Sequence, residues 1–184
     1  MPCANGDSYS FLVTSEWFEQ KETYSVGDTI FLFSQFPKIL TDQVNTNLSI
    51  NYANSTGIAG NIGITRLDSI NRQFIPAKDS FNFVNISGSF SEAALNTSIV
   101  KQINIFEKAD KYEFLGGLIC LKKGVYEIDV DDLNSSGIIG KNCTNAKFTM
   151  KVTNSIKNTH LYTQAIGSPP SVLRQEKMYV FRIR

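Results

Sequence analysis

The 184-residue sequence is poor in the groups that carry most enzyme chemistry, with one histidine, three cysteines, one tryptophan and five prolines. A histidine-dependent centre needs nucleophile, base and orienting group together, and His160 stands in a polar segment with no serine or cysteine motif beside it. A zinc centre fails in the same way, because the spacing of Cys120, Cys143 and His160 matches no zinc pattern. No apolar run approaches the roughly 18 residues of a membrane-spanning helix, and no internal repeat or heptad pattern is present. Charge of either sign is also missing in net terms. Eighteen Lys and Arg against seventeen Asp and Glu leave +1, too little to steer nucleic acid or an anionic membrane from a distance. Gly57, Gly60 and Gly63 recur every three positions, but no Lys-Ser/Thr pair and no amphipathic helix follows, so a phosphate loop is excluded and residues 53–63 read as a flexible loop. No cofactor is expected.

What remains is sheet. The segment Gly124 to Val130 alternates strictly between apolar and polar, and Lys147 to Val152 does the same after a polar loop, which predicts neighbouring antiparallel strands. Tyr9 to Glu19 reads as an edge strand, Ile30 to Phe33 as a buried one, and Lys177 to Arg184 as a terminal one. Further short strands are expected at Asn47–Tyr52, Ile64–Leu67, Phe74–Ile75 and Ile99–Phe106, with one helical turn at Ser91–Asn96. Short apolar bursts with turn signals between them must hide one face each, which predicts an all-β antiparallel sandwich with long loops and little helix. Length and apolar content suit one domain. Residues 1–8 are expected as a flexible tether and 9–184 as a single β-sandwich.

Three short stretches carry resemblances. Tyr24, Gly27, Asp28 and Ile30 resemble the first strand connection in extracellular β-sandwich modules of bacterial surface proteins. Gly124, Val125 and Tyr126 resemble the approach to the penultimate strand of immunoglobulin-like modules, where a tyrosine hydrogen-bonds back across the corner; the strand-internal cysteine of that pattern is missing here. The start, Met1-Pro2-Cys3 followed by a polar run, resembles a mature bacterial lipoprotein whose first cysteine carries lipid. Together these make the chain similar to uncharacterised envelope lipoproteins of Bacteroidetes. That resemblance implies an exported, immunoglobulin-like module at the bacterial cell envelope, periplasmic or outer-surface, meeting the membrane only through a lipid on Cys3; a chance cysteine in a frayed terminus is the alternative.

Candidate sites are few. Cys120 and Cys143 are expected as a disulfide whose loop closure would be worth roughly 3 kcal/mol, against two buried free thiols. Glu127, Asp129, Asp131 and Asp132 are calcium candidates, because hard oxygen ligands cluster at a strand end; a solvated strand face is the alternative. Trp17, Phe18, Tyr52 and Tyr162 lie outside the strongest core runs and are the aromatic binding candidates, with core packing as the alternative. The functional expectation is a non-catalytic binding or structural module whose partner is an extracytoplasmic protein or glycan. The rival is a carbohydrate-active or peptidase enzyme using a carboxylate pair on a β-scaffold.

Overall fold

The computed structural model describes residues 7–55, 57–93, 99–139, 142–154 and 156–184. Its strands are β1 (Asp7–Phe18), β2 (Thr23–Tyr24), β3 (Thr29–Pro37), β4 (Ile39–Thr41), β5 (Ser49–Asn51), β6 (Ala59–Asp68), β7 (Gln73–Pro76), β8 (Phe81–Ser87), β9 (Ser89–Glu92), β10 (Ile99–Asn104), β11 (Phe106–Lys108), β12 (Lys111–Cys120), β13 (Gly124–Val130), β14 (Leu133–Ile139), β15 (Asn142–Val152) and β16 (Met178–Ile183). Two short helices, α1 (Thr159–Ile166) and α2 (Val172–Gln175), precede the last strand. The expected all-β sandwich is what the chain forms.

One hydrogen-bonded path, β11-β12-β3-β1-β15-β14-β6-β13-β16-β2, doubles over on itself. Its turning point is thin, a single bridge between Asn134 and Ala59. The two halves then face each other across a shared core. Phe81 of β8 meets Tyr126 of β13 edge-on at 5.1 Å, and Trp17 of β1 stacks on Tyr179 of β16 at 6.0 Å. Period-two burial drives this: in β1, Phe11, Val13, Ser15 and Trp17 turn inward while Leu12, Thr14, Glu16 and Phe18 turn out. Tyr126 Oη donates to the Lys122 carbonyl at 2.9 Å, the corner bond implied by the immunoglobulin-like resemblance.

Strand pairing departs from expectation. β13 lies between β6 and β16, whereas β15 lies between β14 and β1, the latter in parallel. Residues 131–142 are therefore not a plain loop, since β14 forms there and takes the place beside β15. Tyr9–Glu19 is no edge: β1 has β3 on one side and β15 on the other. Ala59 to Gly63 belongs to β6 rather than to a flexible loop, because at two of its glycines the strands come too close for a side chain. A Cβ at Gly60 would sit 2.7 Å from Leu133 Cδ2, and one at Gly63 2.5 Å from Asp129 Oδ1. Ser91 and Glu92 extend β9 instead of starting a helical turn, whose later residues 94–96 lie outside the described residues. Asp7 and Ser8, expected in the tether, already pair with Thr144 and Asn145.

Register also overturns the disulfide. Cys120 carries a free, fully buried thiol at the end of β12, and burial, with Asp28 nearby, pushes its pKa up to about 12. Cys143 follows the other end of the sheet: its neighbour Thr144 pairs with Asp7, whereas β12 meets β3 where β3 meets the Phe18 end of β1. The two positions are separated by the length of β1, roughly 40 Å at the usual strand rise, far beyond the Cα separation a disulfide allows. The side chains of Cys143 and Cys3 lie outside the described residues.

Candidate functional site

The two outer faces of the sandwich are treated differently. Over β6, β13 and β16, helix α1 lays Leu161, Tyr162 and Ala165 on Leu67, Met178 and Val180. The outer face of β8, β12, β3 and β1 has no such cover among the described residues, yet among outward-facing polar residues such as Glu16, Thr29 and Gln35 it carries a cluster of apolar ones. Phe31 and Phe33 point outward from β3, alternating with buried Ile30 and Leu32. Register sets Phe18 opposite Phe31, Phe31 opposite Gly117, and Gly117 opposite Val84, so one row runs across four strands. Leu115 and Ile119 of β12 share this face, and Ile86 stands beside them at the bulge between β8 and β12. Exposure is 38% for Phe18, 37% for Val84 and 54% for Ile86. The run Ile30–Phe33 is thus fully buried on one side only, because none of the described residues forms a layer over the other.

Glycine lets this face pack flat. A Cβ at Gly117 would lie 2.9 Å from Thr29 Cγ2 and 3.1 Å from Phe31 Cε1, so the missing side chain leaves room for the Phe31 ring to lie against the β12 backbone. Phe18 and Phe33 rings meet at 5.5 Å on the β1 side. One end of the patch is polar and paired: Lys111 Nζ donates to Gln35 Oε1 at 2.8 Å, and Glu113 is held by Lys108 at 2.7 Å and Lys111 at 3.1 Å. Those hydrogen bonds, Lys108 first, then Ser87 and Lys111, hold the Glu113 carboxyl down at about 2. Four strands about 4.8 Å apart and five residues at about 3.3 Å each give a footprint of roughly 300 Å². A stable interface takes about 800 Å² from each partner, so this apolar centre needs its polar rim to complete it.

Of the aromatic candidates, only Phe18 belongs to this face. Trp17 and Tyr52 are fully buried, and Tyr162 is on the sheet-facing side of α1, its ring 5.9 Å from Phe74. Tyr52 packs in the core against Phe11 and Phe148. They form no strip, because Trp17 turns inward from a central strand. Phe31 and Phe33 were hidden within a run that reads equally well as buried on both sides.

The four acidic residues do not share one environment: Asp131 is exposed, Asp129 and Asp132 are half-buried and Glu127 is buried. Glu127 is 0% exposed and receives a two-pronged pair from Arg174, Nε to Oε1 at 2.5 Å and Nη2 to Oε2 at 2.7 Å. Arg174 in turn lies over the rings of Phe74, at 4.9 Å, and Tyr162, at 5.6 Å. Asp132 accepts from Lys177 at 2.6 Å and pairs with Lys147 at 3.2 Å. No group of three or more metal-ligating side chains converges among the described residues. His160 pairs with Glu22 at 3.3 Å on the surface.

Asp129 is the acid left at a cost. Burial, then the charges of Glu127 and Asp131, raise its pKa to about 6, and Arg174 offsets only part of this. A carboxyl whose folded pKa is raised helps the fold below its unfolded value near 4, and that help is lost as pH rises through about 6. Asp129→Asn should therefore stabilise the protein at pH 7.5 by about 1–2 kcal/mol. It should also flatten the fall in stability between pH 4 and 7; urea titrations at several pH values that showed parallel curves for both proteins would refute the assignment.

No family model matches the sequence, and no curated protein matches it. Among solved structures, the reeler domain of human F-spondin is similar over 82% of this chain and 93% of that chain, at 8% identity and a TM-score of 0.35. The type II cohesin dyad from the adaptor ScaA scaffoldin of Acetivibrio cellulolyticus is similar over 82% of this chain and 50% of that one, at 11% identity and 0.30. A type II cohesin domain from the cellulosome of the same organism covers 65% and 75%, at 10% identity and 0.27. These are likenesses of β-sandwich form and extend to no ligand.

Proposed function

We propose that this chain is a non-catalytic, extracytoplasmic binding module, tethered to a bacterial envelope through Cys3, that takes a protein partner on the open face of β8, β12, β3 and β1. The observation that carries the reading is the contrast between faces: one sheet is roofed by α1, while the other exposes Phe18, Val84 and Ile86 and leaves Phe31, Phe33 and Leu115 half-buried among them. An antiparallel sheet with one wet face ordinarily turns polar side chains outward, and contiguous exposed apolar patches mark contact surfaces. A protein is favoured over a glycan because the middle of the patch, Phe31, Phe33, Leu115 and Val84, is aromatic and aliphatic, while the hydrogen-bonding side chains, among them Glu16 opposite Phe33 and Thr29 opposite Ile119, border it. The enzyme reading is weakened by the salt bridges, since Glu127 and Asp132 are both neutralised by cations.

Outward substitutions test this without touching the core. Phe31→Lys combined with Val84→Lys should leave the melting temperature within a few degrees, as surface changes do, and abolish co-purification of a defined partner from the native envelope. Retention of that partner by the folded double variant would contradict the proposal. So would a hydrolytic activity that disappears on Asp129→Asn.

A further inference from the structure

Where the β6–β7 hairpin, the start of β13 and the end of β16 come together, an open groove is lined by Arg66, Lys123 and Arg182. In a chain of net charge +1 three cations share one groove, and none of them forms an ion pair with a described residue. The acid in its wall is Asp68, whose two oxygens are already taken by its own turn: Oδ1 accepts from the Ile70 amide at 2.9 Å and Oδ2 from Asn71 Nδ2 at 2.8 Å. The Asn71 side chain and then the Ile70 amide hold the Asp68 carboxyl below its ordinary range, and the charge of Arg66, which does not bind it, adds to this.

The fold holds these cations in place. Tyr126 Oη accepts no role in the groove itself but donates to the Lys122 carbonyl, fixing the turn that carries Lys123. The Arg66 stem crosses Gly124, where a Cβ would lie 3.2 Å from Arg66 Cδ. Arg182 stands opposite Val125 in the β13–β16 ladder, with its amide donating to the Glu22 carbonyl at 2.8 Å.

We infer that this groove is a second binding site, for an extended acidic peptide segment. The cations are distributed over three adjacent elements instead of converging on a point, which suits carboxylates spaced along a chain; guanidinium forks bind carboxylates in two-pronged fashion. A small anion such as phosphate is ordinarily held by successive backbone amides, and here the hairpin amides of Ile70 and Asn71 are turned to Asp68. Val125 lines the groove and Ile70, 88% exposed, stands at its mouth, so aliphatic side chains between the acids have a surface to cover. This site is separate from the open sheet face, and either can fail without the other.

The test uses the full chain and a fluorescein-labelled octapeptide of alternating Glu and Leu, read by anisotropy. Saturable binding is expected, falling at least fivefold between 20 and 200 mM NaCl as screening grows. The Gln-Leu counterpart should bind at least tenfold more weakly. Arg66→Gln with Arg182→Gln should weaken the Glu-Leu peptide at least tenfold, and Lys123→Gln alone about threefold, while Lys147→Gln leaves it unchanged. Equal binding of the Gln-Leu peptide, no saturable binding, or indifference to both the double and the Lys123 substitutions would overturn the inference. Displacement of the peptide by micromolar inorganic phosphate would reassign the groove to a small anion.

Discussion

Arg174→Ala is expected to lower the unfolding free energy by about 3–5 kcal/mol, the cost of leaving a buried charge without its partner. Glu127 has no exposure to water and no hydrogen-bond partner other than Arg174 among the described residues. Removing the guanidinium strands a carboxylate beneath α2 and also takes away the cation above Phe74 and Tyr162. The effect should therefore exceed that of any exposed ion pair in the molecule, such as Lys21 with Glu19 at 3.8 Å, which is worth well under about 1 kcal/mol. Replacing both partners, Glu127→Leu with Arg174→Leu, should bring stability back to within about 1 kcal/mol of the parent, because an apolar pair carries no desolvation penalty. Urea unfolding of the three proteins checks this; a single variant costing less than about 1 kcal/mol would show that water reaches Glu127.

Phe148→Ala should be about as damaging, at about 3–5 kcal/mol, for a different reason. Phe148 of β15 is fully buried and is the meeting point of three other rings, with Phe11 at 5.2 Å, Phe36 at 5.5 Å and Tyr52 at 5.7 Å. Those rings come from β1, β3 and the chain after β5, so the cavity would open where several elements join. Phe18→Ala is the matched control: its ring lies on the open face, and its loss should change stability by no more than about 0.5 kcal/mol. Equal costs at the two positions, measured by chemical denaturation, would mean that the open face is packed against something in the isolated protein.

The contrast between these two phenylalanines shows where sequence reading reached its limit. Alternation in Gly124–Val130 and in Lys177–Arg184 was enough to place strands, because side chains two apart share a face whether or not the other face is covered. The turn signal of Gly27 and Asp28 before β3 was equally legible, and the Asp28 carboxylate does accept from the Ser25 amide at 2.9 Å. Partners were not legible. Whether Lys147–Val152 pairs with β13 or with β14 and β1 depends on contacts over a hundred residues away, and an alternating pattern is indifferent to which neighbour supplies the ladder. Leu161–Ile166 forms a helix although its apolar residues gave no strong helical signal, and its roof over Leu67 and Met178 is what makes β16 buried on both faces.

The site was hidden for related reasons. Glu127 sits at a position that alternation assigns to the wet side of β13, and its partner is 47 residues away in a four-residue helix. Nothing short of the tertiary structure brings them together. Phe31 and Phe33 occur in an unbroken apolar run, and such a run reads as a strand covered on both sides. Only the absence of a second layer over β3 among the described residues leaves it a half-exposed aromatic face.

The most direct measurement is a photo-crosslinking scan in the native host, with p-benzoylphenylalanine introduced singly at Phe18, Phe33 and Ile86 on the open face and at Thr163 and Ile166 on the helix-covered side. A single protein adduct of constant mass from the three open-face positions, and none from the two on α1, is the expected outcome. Adducts of that protein from Thr163 or Ile166, or no adduct from any of the three, would contradict a binding role for this sheet.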